Sequence, residues 1–140
     1  MIVLDTNVLS ECLKSQPEPR VLAWLSAQPK STVFTSAVTM SEMIYGVHAM
    51  PCGTRQQQLL LAMESIFKED FAGRVLSYDT NAALRFAPLA ARRNQMGQPM
   101  SQFDAMIAAI CLSHQVTLAT RNSKDFVGCG IELINPWGIN

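Results

Sequence analysis

Short apolar runs alternating with much longer stretches constrain this chain more than any other feature of its sequence. Five runs, at residues 2–5, 32–35, 74–78, 117–120 and 131–134, are brief, partly β-branched and bounded by polar residues or glycine, which reads as strands. Between them lie stretches long enough for crossover helices. Strands joined that way run parallel, and a parallel sheet has to be covered on both faces. The pattern predicts an α/β fold: a three-layer α/β/α sandwich around a central parallel sheet of about five strands. At 140 residues the whole chain, 1–140, is expected to form a single domain. Its 49% hydrophobic and 16% charged residues exclude a disordered chain.

The helices have legible ends. Pro17 and Pro19 separate a helix after Asp5 from one holding Val21, Leu22, Trp24 and Leu25. Pro51-Cys52-Gly53 closes the helix that carries Glu42, and Gly97-Gln98-Pro99 forms a loop before the helix that carries Asp104. No run approaches the roughly 20 apolar residues of a membrane span. The start, Met-Ile-Val-Leu-Asp, lacks a basic segment followed by a long apolar one. Cys12, Cys52, Cys111 and Cys129 are widely spaced with no C-x-x-C pair, which fits a reducing compartment better than a zinc ribbon. A soluble, cytoplasmic protein that makes no membrane contact is expected.

Three carboxylates stand where chemistry could use them, each with a plainer alternative. Asp5 ends the first strand, and open parallel sheets bind ligands outside the carboxyl ends of their strands. An Asp there also caps the following helix. Glu42 lies on a helix whose apolar stripe is Met40, Met43, Ile44 and Val47. At about 100° per residue it falls nearly opposite that stripe, toward a cleft or toward water. Thr39-x-x-Glu42 also has capping-box spacing, with Thr39 as N-cap. Asp104 shares a helical face with Ile107, Ala108 and Cys111, so it heads an apolar stripe. A carboxylate drawn inward must be paired, hydrogen-bonded or bound to a cation. Ser101-x-x-Asp104 is a second capping box, and both readings hold if that helix N-terminus opens onto the crevice. After the fourth strand, Asn122 and Asp125 have the N-cap and N3 spacing of a short helix. Asp79 reads most simply as an N-cap.

Eleven Lys plus Arg against eleven Asp plus Glu leave a net charge of zero. A polyanion must then be held by a local basic patch or by metal. Arg121, and Arg92-Arg93 after an apolar helical stretch, are the candidates for a phosphate-binding rim; a solvated helix end is the plainer reading of the pair. With only His48 and His114 present, a His-rich zinc site is poorly supplied.

Four segments carry a resemblance. They are Met-Ile-Val-Leu-Asp5-Thr6-Asn7-Val8, Ser36-x-x-x-x-Ser41-Glu42, Gln102-Phe103-Asp104-Ala105-Met106-Ile107-Ala108-Ala109 and Leu118-Ala119-Thr120-Arg121-Asn122-x-x-Asp125-Phe126. In this order and spacing they resemble the PIN-domain ribonucleases, most nearly their bacterial toxin branch, the VapC type. Asn135-Pro136-Trp137 is similar to the ending of FitB-like members. The resemblance covers nearly the whole chain. It implies acidic side chains meeting at the carboxyl edge of the sheet, with Asp5, Glu42 and Asp104 as the catalytic set. Asp5 and Asp104 would be metal ligands, and Thr6 and Asn7 supports that act through hydrogen bonds. A fourth acidic position of many relatives falls on Asn122, an amide, which puts a second metal ion in question and leaves Asp125 as the open substitute. Also implied are endoribonuclease activity with Mg²⁺ or Mn²⁺, a homodimer, and neutralisation by a cognate antitoxin in a type II pair.

The chemistry suits the residues. Mg²⁺ and Mn²⁺ prefer oxygen ligands, and Mg²⁺ keeps several waters. Clustered acids without a cation repel and raise at least one pKa, and bound metal reverses that. Such an ion can contact a phosphate oxygen and supply activated water for in-line attack, so the expected products carry a 5′-phosphate and a 3′-hydroxyl. Specificity would come from RNA shape and an exposed single-stranded loop. Two rivals stand. One is a PIN-like interaction protein that no longer cuts, motivated by Asn122. The other is a phosphatase with Asp5 as nucleophile, which Asn7 opposes because such enzymes usually place a second Asp there. Met40, Met43, Ile44 and Val47, with Leu59-Leu60-Leu61 and Met63 nearby, are candidates for core and dimer patch together, with core alone the plainer reading of any one of them.

Overall fold

Strands β1 (Ile2–Leu4), β2 (Val33–Ser36), β3 (Val75–Leu76), β4 (Thr117–Ala119) and β5 (Leu133–Ile134) form one sheet in the order β3-β2-β1-β4-β5. Every pairing is parallel. The structure is a computed structural model and describes residues 1–138. β2 begins one residue later than its apolar run because residues Lys30–Thr32 close a 3₁₀ turn. There the Thr32 N–H and hydroxyl both bond the Pro29 carbonyl. β3 keeps only two residues of its run.

Alternation along the strands sorts side chains to two faces. Val3 and Leu118 enter one core with Leu89, Ile107, Ile110 and Phe126. Leu4 and Ala119 enter the other with Val8, Val21, Met43, Val47 and Met63. Helices α5 (Thr80–Gln95) and α6 (Gln102–His114) supply the first layer. The second comes from α1 (Thr6–Cys12), α2 (Pro19–Ser26), α3 (Ala37–His48) and α4 (Thr54–Ser65), which continues as a π-helical turn, Ile66–Asp70. The three-layer expectation holds. No helix among the described residues is long and apolar enough to cross a membrane.

One expectation is corrected and the plainer reading of another holds. Thr39 is not an N-cap: α3 starts at Ala37, and Ser36 caps it by accepting from the Thr39 N–H at 3.0 Å. The apolar surplus is core: Met43, Val47 and Met63 are buried, and Met40, Ile44, Leu59 and Leu60 pack against them. Of that set only Leu61 is strongly exposed. Register shapes the carboxyl edge of the sheet. Leu4 pairs with Ala119, so β1 and β4 end side by side and Asp5 and Thr120 leave the sheet together.

Candidate active site

Asp5 caps α1 and is 4% exposed. Its Oδ1 accepts from the Thr6 N–H at 2.8 Å. Its Oδ2 accepts from the Thr120 hydroxyl at 2.7 Å, with Asn7 Nδ2 at 3.4 Å. The cap and the site are therefore one arrangement. The Thr6 hydroxyl donates to Glu42 Oε1 at 2.9 Å and lies 3.3 Å from the Thr39 hydroxyl. Glu42 thus turns away from its apolar stripe and toward Asp5's helix. Asp104 sits at N3 of α6, where its N–H donates to Ser101 Oγ at 3.1 Å. This half-buried carboxylate stands at a helix N-terminus that opens on the same crevice.

The acids sense one another. Burial raises the Asp5 pKa above its ordinary value; bonds from Thr120 and Thr6 oppose this, and the charges of Asp104 and Asp125 add to it. Glu42 is raised first by burial, against its Thr6 bond, and further by Asp5 and Asp104. Asp104 is raised by burial, against its Ser101 bond, and by Asp125. None of the four forms an ion pair among the described residues. Behind them the buried Cys111 thiol is pushed up to about 12, chiefly by burial and also by Asp5, so it is no nucleophile at neutral pH.

The fourth charge comes from Asp125, not from position 122. Asn122 is exposed, its side chain makes no cap, and its N–H donates to Thr120 Oγ1 at 3.1 Å. The 3₁₀ turn Ser123–Phe126 closes instead through the Asn122 carbonyl, which accepts from the Asp125 N–H at 2.9 Å. Among the described residues no three His, Cys, Asp or Glu side chains close into a metal cage. The donor set is oxygen-only, negatively charged and open on one side. That suits a hard divalent cation keeping much of its water and taking one or two direct carboxylates.

The arginines separate. Arg121 is exposed: its N–H donates to Asn7 Oδ1 at 3.1 Å, and its guanidinium lies 5.1 Å from the centre of the Trp137 ring. Arg92 is exposed and donates to the Gly128 carbonyl at 2.9 Å. Arg93 is 5% exposed, with Nε on the Gln98 carbonyl at 2.7 Å and Nη1 on the Val127 carbonyl. Its placement corrects the picture of an exposed basic pair. Sequence reasoning missed Thr120 and Thr39 as parts of the site, and Trp137 as the platform under Arg121. For Thr120 the signal was a polar residue at the carboxyl end of a strand.

A parallel five-stranded sheet between helix layers, with four acids at the carboxyl edge, defines an α/β/α domain with an open acidic site. The chain belongs to the PIN-domain family, whose model matches residues 2–127. It is 40% identical over 137 residues to the VapC ribonuclease Y4jK of Sinorhizobium fredii, covering 98% of each chain. It is 36% identical over 137 residues to the toxin FitB of Neisseria gonorrhoeae, covering 98% of this chain and 99% of that one. A solved structure of FitAB bound to the IR36 DNA fragment matches with a TM-score of 0.92 and 36% identity, over 100% of this chain and 98% of the other.

Proposed function

We propose that this chain is a metal-dependent endoribonuclease and the toxin member of a type II toxin–antitoxin pair. The convergence of Asp5, Glu42, Asp104 and Asp125 from four separate segments, with no cationic partner among the described residues, carries the reading. Kinship with a VapC ribonuclease and the FitB toxin supports it. Asp5 and Asp104 would hold Mg²⁺ or Mn²⁺, which supplies charge stabilisation at phosphate and a water of lowered pKa. The chain's own residues do the positioning. Thr120 and the Thr6 N–H aim the Asp5 carboxylate, Thr6 fixes one oxygen of Glu42, and Asn7 ties Asp5 to the Arg121 backbone. Arg121, steadied on Trp137, is the phosphate contact this reading favours. Arg92 is secondary and Arg93 is left out because it is buried.

RNA is the substrate in this reading, and a cognate antitoxin is proposed from the FitAB assembly of the relative. A second copy of the chain is proposed from the resemblance to the PIN-domain toxins. Four free thiols suit a reducing cytoplasm. Asp125 supplies the rim charge that Asn122 lacks, which weighs against the non-cutting rival.

The test compares RNA cleavage by wild type, Asp5→Asn and Asp104→Asn in Mg²⁺. Each variant is expected to lose at least ~100-fold in rate, on the scale of losing charge stabilisation at the reacting centre. Wild-type products are expected to carry 5′-phosphate and 3′-hydroxyl ends. Recovery of 2′,3′-cyclic phosphate, or equal cleavage by all three proteins, overturns the reading.

A further inference from the structure

Beside Glu42 the acidic opening runs on into a trough of about 330 Å³, within the size range of small-ligand sites. Helix α1 contributes Ser10 and its C-cap, Leu13, to the lining; α4 contributes Leu59, and α3 contributes Glu42 and Gly46. Lys14 and Arg55 are the two cations that line it. The Lys14 ammonium pairs with Glu11 at 3.2 Å, and Arg55 is exposed with no ion pair among the described residues. The lining is thus largely apolar, cationic in two places, and reaches the site at Glu42.

Gly46 is the telling residue. Glycine within a helix costs roughly 0.5–1 kcal/mol relative to alanine, so it needs a reason. The backbone gives none, because Gly46 is not among the positive-φ glycines. Packing gives none either: a Cβ there would meet no atom within 4 Å. What a side chain would do is enter the trough one helical turn from Glu42, since i and i+4 are neighbours on a helix surface. The missing side chain keeps the trough open.

We propose that this trough is an RNA subsite. It seats the base of a nucleotide beside the phosphate held at the acids, while Lys14 and Arg55 meet the flanking backbone. This rests on the ribonuclease reading. An internal phosphodiester has nucleotides on both sides, so the strand must leave the acids along an open surface. Bases are apolar on their faces and phosphates anionic, which matches an apolar lining that also carries two cations. Gly46 then decides how bulky a base the site admits.

The experiment measures binding, so it is independent of turnover. Asp5→Asn protein, alone and with Gly46→Phe or Gly46→Ala added, is titrated against a short fluorescein-labelled single-stranded RNA of random sequence. Gly46→Phe is expected to weaken binding about tenfold, the size of one lost base contact, and Gly46→Ala far less, with melting temperatures preserved. Arg55→Glu, on the exposed rim, should weaken binding and flatten its salt dependence, and it serves if Gly46→Phe does not fold. Unchanged RNA affinity in a folded Gly46→Phe, or in Arg55→Glu, overturns the proposal. So does a loss confined to antitoxin capture, which would assign the trough to a protein segment. RNA cleavage by wild type with Gly46→Phe binding unaltered sinks the subsite and leaves the ribonuclease standing. Gly46-dependent binding without cleavage does the reverse, and no RNA binding at all overturns both.

Discussion

Asp5 and Arg93 are almost equally hidden, at 4% and 5% exposure, yet the fold treats their charges in opposite ways. Arg93 reaches the Gln98 and Val127 carbonyls, neutral acceptors that satisfy it. In doing so it ties the loop ahead of α6, and so Asp104, to the segment that follows the turn bearing Asp125. Asp5 receives three donors, but among the described residues the charges it senses are those of Asp104 and Asp125. Its carboxyl is raised by burial, against its Thr120 and Thr6 bonds, with those charges adding to the rise. Burying a charge without its opposite is costly. The fold tolerates it at an open edge where a ligand can bring positive charge. A buried ion met by neutral groups holds structure; one met by like charges marks a binding site.

The sharpest way to break this contrast is Arg93→Ala. It leaves two carbonyls without their donor, and a loss of about 3 kcal/mol is expected, read as a fall of roughly 10 °C in melting temperature. Arg93→Lys should recover only part, because one ammonium does not reproduce a planar fork. An unchanged melt would show that the arginine is not structural. Arg121→Ala probes the exposed counterpart: RNA kcat/KM should fall by about tenfold, close to 1.4 kcal/mol, with the melt nearly unchanged.

Asp104→Asn should act with the opposite sign to Arg93→Ala in metal-free protein. The folded Asp104 carboxyl is raised above its ordinary value of 3.8 by burial and Asp125, against its Ser101 bond. Its contribution to stability is present below that value and is lost as pH rises through the raised one. The variant should therefore melt a few degrees above wild type near pH 7 and show no gain near pH 3. Added Mg²⁺ should close the gap by stabilising wild type only. Smallest of all, Arg92→Ala should change stability by no more than about 0.5 kcal/mol, checked by denaturant titration.

Much of the fold could be read from the sequence because strands covered on both faces are plain apolar runs. Asp5 and Asp104 were legible too, since each sits in a local pattern, strand end or N-cap box, that fixes its place. The Thr120–Asp5 bond was not: its partners are 115 residues apart, and only strand order and register bring them together. The capping of α3 went astray because Ser36 and Thr39 both suit an N-cap, and the choice depends on where β2 ends. Arg93 was misread although a clue existed. It follows the buried Leu89 by four residues on α5, which puts it on the inward face while Arg92 turns out.

The sheet order has a consequence for synthesis. β1 precedes the other four strands in the chain and is the central one in space, flanked by β2 and by the later strand β4. A ribosome therefore delivers Asp5 and Glu42 long before Thr120 arrives to hold Asp5 in place, and Asp125 comes later still. The acidic edge is therefore completed by its latest-made members, Thr120 and Asp125.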